Sequence, residues 1–121
     1  MNWTALLLIA AAVALVVMMR RAGLISVRAA REHLKNGALL IDVRTPGEYA
    51  AGHLETAIHL PVDQIEVTLP KRVPNKNSVV LLYCQSGMRS GMAKRKLQAK
   101  GYAQAFNLGS LARAGRIVSG K

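Results

Sequence analysis

Two strand-length runs of almost entirely apolar residues constrain the fold of this chain more than any other feature. They occupy residues 38–43 and 79–83. Neither run alternates between apolar and polar residues, which is typical of parallel strands that are covered on both faces. Ser26 is a candidate N-cap for a helix over residues 27–35, and a second helical pattern covers about 90–100. The sequence therefore predicts an α/β domain with a mostly parallel central sheet and helices on both faces.

Shorter elements are indicated by the rest of the chain. Leu24-Ile25 can begin a strand, and residues 57–60 and 105–108 are also expected to form short strands. Residues 63–69 precede Pro70 and indicate a helix or a lone turn. After the last of these strands, the tail to Lys121 is expected to be only weakly helical.

The opening stretch, residues 3–19, is apolar throughout. As a helix it would be about 17 residues and roughly 26 Å long, close to the thickness of a bilayer's hydrocarbon core. Because Arg20-Arg21 follows this stretch, the positive-inside rule places the N-terminus outside and the body in the cytoplasm. We therefore expect residues 1–21 to be a single transmembrane anchor, in the inner membrane if the source is bacterial, and residues 22–121 to form one domain. The alternative is a signal peptide, either uncleaved or cleaved with export of the domain, because Ala10-Ala11-Ala12 supplies small residues.

The body of the chain is strongly basic. All 17 Lys and Arg residues and all 6 Asp and Glu residues follow the apolar stretch, and the formal net charge is +11. Such a charge attracts small anionic substrates, an anionic membrane surface or nucleic acid. Aromatic residues make up only 4% of the chain, so the basic residues lack the interleaved rings that bind single-stranded nucleic acid. We therefore expect small anions and a membrane, reached through the N-terminal helix, as partners and rank nucleic acid last.

The single cysteine, Cys84, excludes an intramolecular disulfide and a multi-thiolate zinc site, and we predict neither a metal nor a cofactor. A buried, inert thiol is the ordinary interpretation of a lone cysteine. Here, however, Cys84 directly follows a central strand and precedes a helix, where Ser86 and Gly87 allow backbone N–H groups to surround an anion. Arg89 is close enough along the chain to reach over the same loop. These cationic and dipolar surroundings favour a reactive thiolate.

Two separated motifs resemble the rhodanese family, and the resemblance runs from about Leu24 to Leu108. The first is IDVRTPGEYAAGH at residues 41–53, followed at its usual spacing by residues 57–61. The second, VVLLYCQSGMRS at residues 79–90, contains the cysteine. The resemblance implies a rhodanese-like α/β domain.

The resemblance also implies a chemistry and a set of site residues. A rhodanese cysteine takes sulfane sulfur from a small anionic donor such as thiosulfate, holds it as a persulfide and passes it to cyanide or a thiol. On this chain Cys84 would be that nucleophile. The surrounding loop would bind the persulfide and the donor, and it comprises Gln85, Ser86, Gly87, Met88 and Arg89. Residues that would support the site by ion pairing are Asp42, Arg44 and Glu48.

Loop length separates sulfur transfer from a neighbouring chemistry. Related phosphatases and arsenate reductases have one more residue between the cysteine and the arginine, whereas four residues separate Cys84 from Arg89 here. Sulfur transfer is therefore favoured. Two other functions remain open, namely a membrane-tethered sulfur-relay or binding module with little thiosulfate turnover and a catalytically silent adaptor. The chain departs from the family at residues 109–114, where GSLARA replaces the paired glycines and following Trp of many members.

Overall fold

Within residues 2–21 and 23–120, which a computed structural model describes, the fold is built on a parallel sheet of four strands. The strands are β1 (Leu39–Asp42), β2 (Ile58–His59), β3 (Val80–Cys84) and β4 (Ala105–Ser110), in the spatial order β2-β1-β3-β4. All of these strands pair in parallel, so their carboxyl ends lie at one edge. The two apolar runs form the central pair β1 and β3, which confirms the predicted parallel sheet.

Helices account for most of the remaining chain. Over the described residues they are α1 (Trp3–Arg21), α2 (Val27–Lys35), α3 (Pro46–Ala51), α4 (Ile65–Arg72), α5 (Met88–Ala99) and α6 (Leu111–Ser119), with a 3-10 helix at Val62–Gln64.

Each face of the sheet carries its own hydrophobic core. Because successive strand residues point to opposite faces, Leu82 packs with Leu97 of α5, while its neighbour Leu81 packs with Ile117 of α6. Helices α4 and α5 cover the first face, and α2 and α6 cover the second. Full burial of one such leucine stabilises the fold by about 2 kcal/mol. The prediction of helices on both faces is confirmed.

Several helix and strand ends follow local signals in the sequence. The Ser26 side chain accepts a hydrogen bond from the N–H of Ala29 at 3.2 Å, and α2 has the predicted bounds. α5 begins slightly earlier than predicted, at Met88. The segment before β3 forms the 3-10 helix and then α4, which continues through Pro70 to Arg72.

Two expectations for the ends of the domain are wrong. Leu24 makes one isolated parallel bridge to Asn107 instead of beginning a strand. The tail forms a regular helix, α6, because the Ser110 side chain caps it by accepting the N–H of Arg113 at 3.1 Å. Gly120, with a φ of 76°, ends this helix in the left-handed conformation.

The opening stretch is helical, but the predicted transmembrane anchor over residues 1–21 is wrong. No helix in the part of the chain that the structure describes is long and apolar enough to cross a membrane. α1 has 19 residues and ends in Arg20-Arg21, so its apolar part is shorter than the about 20 residues that a hydrocarbon core requires. The single-pass membrane location deduced from the anchor is therefore wrong as well. The two predicted segments, 1–21 and 22–121, have boundaries at Met1, Ala22 and Lys121. These three residues lie outside the described residues.

Candidate active site

The loop after β3 places Cys84 at the carboxyl edge of the sheet, where ligands of open parallel sheets bind. Cys84 is the last residue of the strand and is fully buried. Its Sγ atom lies 3.0 Å from the backbone nitrogen of Gly87 and 3.4 Å from the Oγ of Ser90. Helix α5 starts at Met88, so the sulfur lies against the positive end of a twelve-residue helix.

The surroundings of Cys84 favour its thiolate. Burial by itself raises the pKa of the Cys84 thiol, because a charged sulfur loses contact with water. Hydrogen bonds from the Ser90 side chain and from the backbone N–H groups of Ser90, Gly87 and Ser86 outweigh that effect and leave the pKa below its ordinary value. A larger fraction of the sulfur is therefore ionised near neutral pH than in a free cysteine.

Gly87 determines the path of the loop. Its φ of 96° lies in the left-handed region, which favours glycine. A Cβ atom at this position would also lie 3.2 Å from the Cα and 3.3 Å from the carbonyl carbon of Gly109 in β4. An antiparallel bridge between Ser86 and Ser110 joins the loop to the same strand. The loop can therefore approach β4 and aim the Gly87 N–H at sulfur because glycine occupies position 87.

Arg89 is held by a carboxylate. Its Nη1 and Nη2 atoms lie 2.6 and 2.9 Å from the two carboxylate oxygens of Glu48, in a bidentate ion pair. The bond to Arg89, together with hydrogen bonds from Thr45, lowers the pKa of Glu48 to about 2. Thr45 and Glu48 form a capping box at the start of α3, so this short helix orients the carboxylate. The structure thus places Arg89 beside the loop but bonded to Glu48.

A second ion pair lies under the loop. Arg44 and Asp42 are 3% and 0% exposed, and Arg44 Nη2 lies 2.8 Å from Asp42 Oδ2. The same guanidinium donates to the side-chain oxygen of Gln85 at 3.1 Å and to the carbonyl of Gly52 at 2.7 Å. The pair therefore connects β1 to the active loop through Gln85. The side chains of Gln85, Ser86 and Met88 themselves are exposed to solvent.

Sequence reasoning missed a buried polar cluster behind the cysteine. The Ser90 hydroxyl lies 2.7 Å from Oδ1 of Asn107, and the Asn107 amide nitrogen donates to the carbonyl of Gly87 at 3.0 Å. Both side chains are almost completely buried. Asn107 Oδ1 also accepts the backbone N–H of Gly109 at 2.8 Å. The position of Ser90, one residue after Arg89, could have indicated that it belongs to the site. No neighbouring residue indicates a role for Asn107, which lies on β4 and far from Cys84 in the sequence.

Comparison with known proteins agrees with this arrangement of a parallel sheet and a cysteine loop at its edge. Residues 26–111 match the family described as the rhodanese-like domain. Because this match covers more than half of the chain, the protein belongs to the rhodanese-like domain family, and the resemblance found in its motifs is confirmed.

Individual relatives each match about three-fifths of the chain. "Thiosulfate sulfurtransferase PspE" of Escherichia coli strain K12 is 39% identical over 71 residues, which are 59% of this chain and 68% of that protein. "Sulfurtransferase" of Allochromatium vinosum is 40% identical over 70 residues, 58% of this chain and just 64% of that protein's length. A solved structure described as "rhodanese with anions from E. coli" is 36% identical with a TM-score of 0.61, covering 64% of this chain and 91% of that one.

Proposed function

We propose that this chain is a sulfurtransferase that carries sulfane sulfur as a persulfide on Cys84, with thiosulfate as a donor. The observation that carries the proposal is the 3.0 Å contact between the Gly87 N–H and Sγ at the start of a helix. A contact of this kind stabilises the anionic Sγ that attacks the donor and that forms again when the sulfur is passed on. The names of the two sulfurtransferase relatives support the same general chemistry.

The proposed loading step is a displacement at sulfur. The Cys84 thiolate attacks the outer sulfur of thiosulfate and a new S–S bond forms. The bond between the two sulfur atoms of thiosulfate breaks, and sulfite leaves with its electron pair. The product is the Cys84 persulfide anion, so charge balances without an external oxidant or reductant. Cyanide or a thiolate then takes the outer sulfur, and the bonding electrons return to Sγ.

Two measurements on the purified full chain test this function. We expect intact-mass analysis after thiosulfate treatment to find one added sulfur atom, and we expect cyanide to remove it as thiocyanate. Cys84→Ser should gain no sulfur and form no thiocyanate, whereas Ser119→Ala, a change at the exposed end of α6, should behave like the unaltered protein. Thiocyanate formation by Cys84→Ser at the unaltered rate would refute the role of this cysteine.

The Arg89–Glu48 pair favours a second candidate, a sulfur relay that receives its sulfur from another persulfide and uses thiosulfate poorly. Both terminal nitrogens of Arg89 bind Glu48, which leaves them less available to an anionic donor. A relay would load Cys84 from cysteine persulfide much faster than from thiosulfate. In that case Glu48→Gln, which removes the competing negative charge, should increase the thiosulfate loading rate. Fast loading of the unaltered protein by thiosulfate would exclude the relay.

A further inference from the structure

A cavity of about 460 Å³ lies beside the active loop. Gly87 lines it, and the N–H of this residue points at the cysteine sulfur from 3.0 Å. The lining also contains Gly109 and Ser110, which belong to the segment that replaces the paired glycines of many relatives. The volume is within the range of sites for small organic molecules. It is far larger than an inorganic sulfur donor requires.

The walls of this cavity combine apolar surface with unpaired positive charge. Leu24, Met88 and Met92 supply the apolar part, and the two methionines are 77% and 44% exposed. Arg95 and Arg113 supply the charge, and no carboxylate belongs to the lining formed by the described residues. An uncompensated cationic wall beside methionine side chains matches a ligand with an anionic end and an apolar body.

The two arginines contribute differently. Arg113 donates to the carbonyls of Leu108 and Ile25 at 2.7 and 2.6 Å, which fixes its guanidinium at the cavity wall. Burial lowers the pKa of Arg113, and repulsion from Arg116 adds to this effect, as expected for a cation without a carboxylate partner. Arg95 is exposed on α5 and forms no ion pair with any described residue. Arg95 is therefore free to turn toward a bound anion.

We propose that this cavity is the acceptor subsite and that it binds an organic thiol carrying a carboxylate and an apolar body. The proposal rests on sulfur transfer through Cys84. The acceptor thiolate would attack the outer sulfur of the Cys84 persulfide and form a new S–S bond. The bond from that sulfur to Sγ breaks, Sγ keeps the electron pair as thiolate, and the acceptor leaves as its own persulfide anion, so charge balances.

A matched pair of acceptors tests the charge requirement. 4-Mercaptophenylacetate and 4-mercaptophenylacetamide share a ring and a thiol but differ in charge. After loading with thiosulfate, the loss of sulfur from Cys84 is followed by intact mass in a single turnover. We expect the carboxylate to discharge the protein about fivefold faster or more at subsaturating concentration. Arg95→Gln should bring the two rates within about twofold, whereas Lys100→Gln, directly after the same helix and outside the cavity, should preserve the preference.

A binding measurement separates failure of the subsite from failure of sulfur transfer. Phenylacetate and phenylacetamide are titrated into Cys84→Ser and followed by amide chemical shifts. Phenylacetate should shift the signals of Met92 and Gly109 and bind about fivefold more weakly after Arg95→Gln. Equal binding of the two compounds, or equal weakening by Lys100→Gln, would overturn the subsite. If thiosulfate never loads Cys84, the proposed function fails while these titrations still decide what the cavity binds.

Discussion

Gly87→Ala, compared with Gly37→Ala, separates the backbone strain of the active loop from its steric contact with β4. Both glycines have left-handed φ angles, 96° at Gly87 and 89° at Gly37. An added Cβ at Gly37 meets no atom within 4 Å, whereas at Gly87 it meets two backbone atoms of Gly109 at 3.2 and 3.3 Å. Backbone atoms cannot rotate away as a side chain can. Both substitutions thus introduce backbone strain, but only Gly87→Ala adds a steric contact.

The shared cost is about 1–2 kcal/mol, since a residue with a Cβ is strained in the left-handed region. The contact at Gly87 adds roughly 1–3 kcal/mol, the usual cost of overpacking. We therefore expect urea denaturation to give a loss of about 1–2 kcal/mol for Gly37→Ala and about 2–5 kcal/mol for Gly87→Ala.

Activity should separate the two variants more clearly than stability. Relief of the contact with Gly109 moves the Gly87 N–H away from Sγ, so thiosulfate loading of Cys84 should fall about tenfold or more, the effect of losing one charge-assisted hydrogen bond. Gly37→Ala lies between α2 and β1 and should load at the unaltered rate. Equal stabilities and equal loading rates for the two variants would refute the steric argument.

Three further predictions concern the ionised groups of the site. The pKa of Glu48 is lowered from 4.5 to about 2 in the folded protein, so its contribution to stability is complete above pH 4.5 and is lost as the pH falls toward 2. Urea denaturation across that range should be less pH-dependent in Glu48→Gln, and an unchanged profile would contradict the ion pair with Arg89. Ser90→Ala removes a hydrogen bond to the thiolate and should therefore raise the pKa of Cys84. The pH profile of Cys84 alkylation by iodoacetamide should then shift to higher pH. An unshifted profile would exclude Ser90 as a donor to the thiolate. Asp42→Asn leaves a buried guanidinium without its carboxylate and should reduce the free energy of unfolding by about 3 kcal/mol in urea, and a loss near zero would show that the pair does not stabilise the fold.

The central sheet and the cysteine loop were predictable because their signals are local. Two unbroken apolar runs can be buried only as central strands, and the loop follows one of them directly. The N-cap at Ser26 is likewise a signal within a few residues. The regular helix α6 was not expected because Gly115, Ile117 and Val118 lower its intrinsic propensity and its cap Ser110 was not recognised. Its packing against α2 supplies the stability.

Contacts between residues that are far apart in the sequence could not be predicted. The resemblance marked Glu48 as an ion-pairing residue, but the sequence did not identify Arg89, 41 residues away, as its partner. The same applies to Asn107, which reaches the loop only through the register of β3 and β4. The transmembrane prediction failed for another reason, since an apolar composition does not by itself give the length that a bilayer requires.

The hydroxyl of Ser90 carries one proton but faces three acceptors. Asn107 Oδ1, the Gly87 carbonyl and Cys84 Sγ lie 2.7, 3.1 and 3.4 Å from its oxygen. A neutral thiol leaves this proton to the amide oxygen, whereas a thiolate draws it toward sulfur. The Gly109 N–H lies 2.8 Å from the same Asn107 oxygen and then becomes the main donor to that oxygen. We therefore expect the amide resonance of Gly109 to shift with the charge of the sulfur, so that this charge can be followed without a label on the cysteine itself.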